Sequence, residues 1–104
     1  LVSCPLGEVG EHLGQTITIG GIITQVRKIT TRKDNQEMAF VALEDRTGRL
    51  EVVVFPRLYQ ETKNVWLKDQ AVLISGRAET KEGGTQETTL SFIAEKIIPF
   101  KEEP

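Results

Sequence analysis

The chain has 104 residues, 38% of them hydrophobic and 27% charged, which suits one folded domain and excludes both a second core and a disordered chain. Its formal net charge of -2 argues against a nucleic-acid binder that works by bulk electrostatics alone. The single cysteine, Cys4, excludes an internal disulfide, and no apolar run reaches the ~18 residues of a membrane-spanning helix.

The chain opens without Met and without the basic-then-apolar pattern of a signal peptide. It therefore reads as a segment of a longer polypeptide. A lone thiol suits a reducing compartment, so a cytoplasmic setting is expected. Residues 1–14 read as a lead-in segment. Alternating Thr and Ile then predict a first strand over 15–27. Gly20-Gly21 interrupts it, as a strand does when it bends to serve both sides of a small closed barrel. Residues 28–37 read as a long polar connection, and 38–45 as strand two. Asp45-Arg46-Thr47-Gly48 has the Asp and Gly of a type I turn, from which 49–55 returns as strand three.

Pro56 suits the first position of a helix, where its missing N–H would be unpaired anyway. Leu58, Tyr59, Thr62, Val65 and Trp66 recur at helical spacing, predicting a short amphipathic helix over 56–65 that plugs one end of the barrel. Residues 70–80 and 88–97 read as strands four and five, around a polar, Gly-rich hairpin loop at 81–87. Residues 101–104 are a tail. Five strands with one short helix between the third and fourth is the element order of an OB-fold, an all-β five-stranded Greek-key barrel, here spanning 15–100. Such barrels bind on strands two and three, flanked by the first-to-second and fourth-to-fifth loops, which are the long polar ones here.

The strings G-G-I-I-T-Q-V-R-K-I-T-T-R-K, M-A-F-V-A-L-E-D-R-T-G-R-L-E-V-V-V-F-P and V-L-I-S-G-R resemble the OB domain of the alpha subunit of bacterial DNA polymerase III, over about residues 15–97. Ser3-Cys4-Pro5-Leu6 is similar to the end of the segment preceding that domain, where His usually stands in place of Cys4. The resemblance implies a domain that contacts the single-stranded template, in a DNA-directed DNA polymerase whose catalytic aspartates lie in an upstream domain. The module also resembles the anticodon-binding domain of class II aminoacyl-tRNA synthetases. That likeness implies base stacking on Phe40 and base reading from the third strand at Glu51.

The residues themselves carry a compatible reading. On strand two, Ala39, Val41 and Leu43 share one face, while Met38, Phe40, Ala42 and Glu44 share the other. If the Glu44 face is wet, Phe40 is an exposed platform on which a base can stack; the alternative is a Phe40 turned into the core or covered by a loop. Arg27, Lys28, Arg32 and Lys33 cluster around the start of the first long connection, where they could neutralise phosphates. Arg49 and Glu51 share a face of strand three; Arg49 could stack on a base or hold a phosphate, or pair with Glu44. Lys81 could close over a bound strand from the second loop.

The chain has no P-loop, G-x-G-x-x-G, H-E-x-x-H or paired C-x-x-C. His12 and Cys4 lack partners at metal or nucleophile spacing. No catalytic residue, metal or cofactor is therefore expected. The expectation is a monomeric, non-enzymatic binding module for single-stranded DNA, without membrane contact. The alternatives are a domain that docks other polymerase regions or replisome subunits, and a tRNA anticodon binder.

Overall fold

The computed structural model describes residues 2–82 and 88–99. Five strands close into a barrel in the order β1-β2-β3-β5-β4. They are β1 (Thr16–Thr30), β2 (Glu37–Asp45), β3 (Gly48–Val54), β4 (Ala71–Glu82) and β5 (Thr88–Pro99). All pairings are antiparallel except β3–β5, where Glu51, Val52 and Val53 run parallel to Ser91, Phe92 and Ile93. This is the expected OB-fold barrel.

The first strand closes the barrel by changing partner midway. Thr16–Ile22 pair with β4, and Ile22–Thr30 pair with β2. The change falls at Ile22, directly after Gly20-Gly21. A Cβ on Gly21 would lie 2.6 Å from the Glu44 carbonyl oxygen, so only glycine lets the two backbones approach there. An irregularity between Ile23 and Gln25 follows, where Thr24 bulges out of register and its hydroxyl donates to the Ala42 carbonyl.

The core is built from period-two alternation. Ile17, Ile19 and Ile23 from β1, Ala39, Val41 and Leu43 from β2, and Leu50, Val52 and Val54 from β3 all point inward. Val72 and Ile74 of β4 and Phe92 of β5 complete it. Phe92 is fully buried.

Each end of the barrel is closed by a short helical element. At the Glu37 end of β2 sits α1 (Pro56–Thr62), tied there by Lys63, whose ammonium lies 3.1 Å from the Glu37 carboxylate. Tyr59 and Trp66 enter the core from this side. The Trp66 indole N–H donates to the Thr62 hydroxyl, which itself donates to the Leu58 carbonyl, so the helix ends in a satisfied polar chain. At the opposite end of β2, a 3-10 turn over Leu6–His12 drives Leu6 and Val9 into the same core. Its first N–H groups are held by the β2–β3 turn: Leu6 donates to the Asp45 carboxylate and Gly7 to the Thr47 hydroxyl.

Strand ends shift by a residue in several places, and other boundaries differ by more. The polar run at 28–30 is strand, because Ile29 pairs with Met38 and Thr30 with Glu37; the connection is only 31–36. The helix stops at Thr62 rather than at 65. β4 ends at Glu82 and β5 at Pro99, each two residues beyond the expected end, while β4 begins at Ala71 rather than at 70. Phe100, the loop residues 83–87 and the tail 101–104 lie outside the described residues.

Candidate nucleic-acid interface

Strand register lays two rows of outward-facing positions across all five strands. One row runs Arg27, Phe40, Val53, Ile93, Arg77. The neighbouring row runs Gln25, Ala42, Glu51, Ser91, Glu79. The first is an apolar strip with an arginine at each end. The second is polar and carries two carboxylates toward the β5–β4 side.

Two joined depressions follow these rows. The first, about 280 Å³, is lined on the β1–β2–β3 side by Gln25, Arg27, Phe40, Arg49 and Glu51. The second, about 270 Å³, crosses β3, β5 and β4 over Met38, Val53, Phe55 and Ile93, with Glu79 and Ser91 at its edge. Phe40 and Glu51 line both, so the groove is continuous. Its β1 side is cationic, and on its β4 side the Glu79 carboxylate is ion-paired with Arg77 at 3.8 Å.

Phe40 lies on the outer face, as the wet-face alternative required. Its ring is half-buried and not open to solvent on all sides: the Arg27 guanidinium carbon lies 4.9 Å from its centroid. That is cation–π range, so Arg27 roofs the platform. Arg49 donates to the Gln25 side-chain oxygen at 3.4 Å across the groove floor. Glu44 is its register partner, yet no Arg49–Glu44 ion pair forms among the described residues. Glu51 is exposed at the point where the two depressions meet.

The structure thus brings Arg27, Phe40, Arg49 and Glu51 together, and separates the other candidates from them. Lys28 pairs in register with the fully buried Ala39 and follows Arg27, so alternation sends its side chain to the opposite face. Arg32 and Lys33 are exposed on the connection beyond the last β1–β2 pair, and neither lines the groove. The backbone of Lys81 pairs with Thr89, while its side chain lies outside the described part of the structure.

Residues not singled out from sequence also line the groove: Gln25, Met38, Val53, Phe55, Glu79, Ser91 and Ile93. Val53 and Phe55 could have been found by extending the Arg49–Glu51 alternation two and four residues further. Gln25 could not, because its direction depends on the Thr24 bulge.

Little else in the barrel offers chemistry. Asp45 is the turn residue expected, accepting from the backbone N–H groups of Thr47 and Gly48 as well as Leu6. Burial pushes the Cys4 thiol up, and the carboxylates of Glu8, Glu11 and Asp45 add to this, so a thiolate nucleophile is disfavoured. Among the described residues, no group of three or more His, Cys, Asp or Glu side chains could hold a metal ion.

Residues 17–100 match a family model described as an OB-fold nucleic acid binding domain. The DNA polymerase III subunit alpha of Borreliella burgdorferi is 28% identical over 82 residues, which is 79% of this chain and 7% of that protein. Alpha subunits from Bacillus subtilis and Escherichia coli match over smaller shares. The chain therefore spans only about 7% of the length of the curated relatives it matches. Among solved structures, asparaginyl-tRNA synthetase from Entamoeba histolytica superposes with a TM-score of 0.69 at 20% identity, covering 100% of this chain and 25% of that one. A mitochondrial single-stranded DNA binding protein from S. cerevisiae superposes at 0.59 with 22% identity, covering 86% of this chain and 98% of that one. Both likenesses concern the fold. With its barrel closed in this order and the family model matched over nearly all of it, the chain belongs to the OB-fold nucleic acid binding domain family and resembles the OB region of bacterial DNA polymerase III alpha subunits.

Proposed function

We propose that the domain holds single-stranded DNA across the outer face of β1, β2 and β3, and that it does so within a replicative polymerase alpha subunit, beside the template. One base stacks at Phe40, and the phosphates follow the cationic side, at Arg27 and Arg49. The observation that carries this reading is the Arg27–Phe40 pair set in the wall of a groove that crosses the barrel. An aromatic face beside guanidinium groups binds a base and its phosphate together, with little dependence on which base it is. The alpha-subunit relatives and the single-stranded DNA binding neighbour support it.

Affinity for the isolated domain is expected to be weak and strongly salt-dependent, because the net charge is negative and few cations face the groove. Fluorescence anisotropy with labelled oligo-dT at low salt tests the reading. Wild type should bind, and Phe40→Ala should bind at least several-fold more weakly, since base–aromatic stacking contributes about 1–3 kcal/mol per base. Equal binding by the two proteins would remove Phe40 from the site.

A further inference from the structure

We infer that the nucleic-acid track continues past Phe40 to a second stacking platform at Phe55; this rests on the reading of the groove as a single-strand site. Phe55 follows β3 in extended backbone and is 48% exposed, an unusual state for a ring of that size. The ring is not part of the buried core cluster. The helix-capping contact at this position is made by backbone, the Tyr59 N–H donating to the Phe55 carbonyl, and no side chain takes part.

Phe55 has the same outward parity as Arg49, Glu51 and Val53, and Val53 is the register partner of Phe40. One inter-strand step and two residues along the strand separate the two phenylalanines. Strand spacing and rise put their backbones about 8 Å apart. That is a reach neighbouring nucleotides of an extended strand can span.

The cavities agree with this path. Phe40 joins the first depression to the second, and Phe55 joins the second to a third of about 420 Å³. The third is lined by Arg57 and Leu58, with Glu61 and Glu95 also on its wall. Between the two rings the floor is Met38, Val53 and Ile93, and among the described residues no cation lines that stretch. Glu51 flanks it, Glu79 flanks it as the ion-pair partner of Arg77 at 3.8 Å, and the apolar floor favours base faces over phosphates. Cations return at each end, Arg27 and Arg49 before Phe40 and Arg57 beyond Phe55. Alternating charge and aromatic surface in this order matches a strand whose bases lie inward between two anchored phosphates.

Binding of a short oligo-dT of about four nucleotides and a longer one of about twelve, at low salt, tests both platforms. Phe55→Ala should weaken both oligos by roughly tenfold, because neighbouring nucleotides span the distance between the rings. Phe40→Ala should weaken both. Phe55→Tyr, which keeps a ring, should bind as wild type, and Phe55→Leu, which keeps only apolar bulk, should behave as Phe55→Ala. Unchanged Trp66 fluorescence and thermal midpoint check that each variant is folded. If Phe55→Ala or Phe55→Leu binds the longer oligo like wild type, the second platform does not exist, while the Phe40 site stands. If wild type binds neither oligo, the single-strand reading itself fails and the extension goes with it.

Discussion

Arg27 and Phe40 are register partners across β1 and β2, and the guanidinium carbon of one lies 4.9 Å from the ring centre of the other. The contact depends on a local irregularity. Ile17, Ile19 and Ile23 face inward at period two, and unbroken alternation would send Gln25 and Arg27 inward as well. The extra residue at Thr24 reverses the parity, and both side chains emerge on the groove side. A double-mutant cycle in urea should find a coupling of about 0.5–1 kcal/mol between Arg27→Ala and Phe40→Ala, the usual size for a cation–π pair near solvent. Strictly additive losses would mean that the guanidinium does not rest on the ring in solution.

The two faces of the barrel wall make a sharper electrostatic prediction. Each phosphate neutralised on a single strand contributes roughly 0.7 to the slope of log K against log salt. Arg49→Gln should flatten that slope by about 0.7, because Arg49 lies on the groove floor. Lys28→Ala removes a cation adjacent in sequence to Arg27 but directed to the other face, so the slope should not change. Anisotropy titrations at three or four salt concentrations measure both. A Lys28 effect as large as that of Arg49 would place the strand on a different surface.

These two residues also show what could be read from sequence and what could not. The element order came from local chemistry: the Asp45–Gly48 turn, Pro56 at a helix start, and the alternation within each strand. Each acts over a few residues. The candidate site rested on Arg27, Lys28, Arg32 and Lys33 lying close in sequence, and a strand does not preserve that closeness in space. Alternation parts Arg27 from Lys28, and the ribbon carries Arg32 and Lys33 beyond the groove. The bulge at Thr24 has no signature, since Ile-Ile-Thr-Gln-Val reads as ordinary strand. The β5 contribution was hidden for another reason. Ser91 and Ile93 meet Glu51 and Val53 through a parallel pairing that joins segments forty residues apart, which only closure of the barrel creates.

Acid should act on the domain through Asp45. Burial pushes this carboxyl up, but hydrogen bonds from the Leu6 N–H, the Thr47 hydroxyl and the N–H groups of Thr47 and Gly48 outweigh it and hold the carboxyl below its ordinary range. A carboxyl lowered in the folded state stabilises fully above its unfolded value of about 3.9, and that contribution is lost as pH falls through the lower folded value. Denaturant midpoints should therefore be flat with respect to this group near neutrality and fall below about pH 4. Asp45→Asn should lose about 1.5–3 kcal/mol at pH 7, the usual worth of a hydrogen bond to a charged group. It should also show a shallower acid limb, because the group that titrates is gone. An acid limb identical to wild type would assign the acid sensitivity elsewhere.

Three glycines should respond to alanine in a graded order set by what the new methyl group meets. At Gly76 it would overlap the Ile93 carbonyl oxygen and lie 2.9 Å from the Phe92 ring, at the point where the β4–β5 ladder slips register. At Gly21 it would press on the Glu44 carbonyl at 2.6 Å, where β1 passes from β4 to β2. In both places the obstacle is backbone, which a rotamer change cannot relieve, so each substitution should cost at least the about 1–3 kcal/mol of an overpacked core. Gly10, in the 3-10 turn, meets only the Leu90 side chain at 3.9 Å, and alanine there should stay within about 0.5 kcal/mol of wild type. Chemical denaturation of the three variants gives the comparison. Gly76→Ala should be the most damaging, because its methyl group would need the β4–β5 ribbon to open, and that ribbon carries Ser91 and Ile93 into the groove. A Gly76→Ala protein as stable as Gly10→Ala would show that the two backbones lie further apart than this register requires.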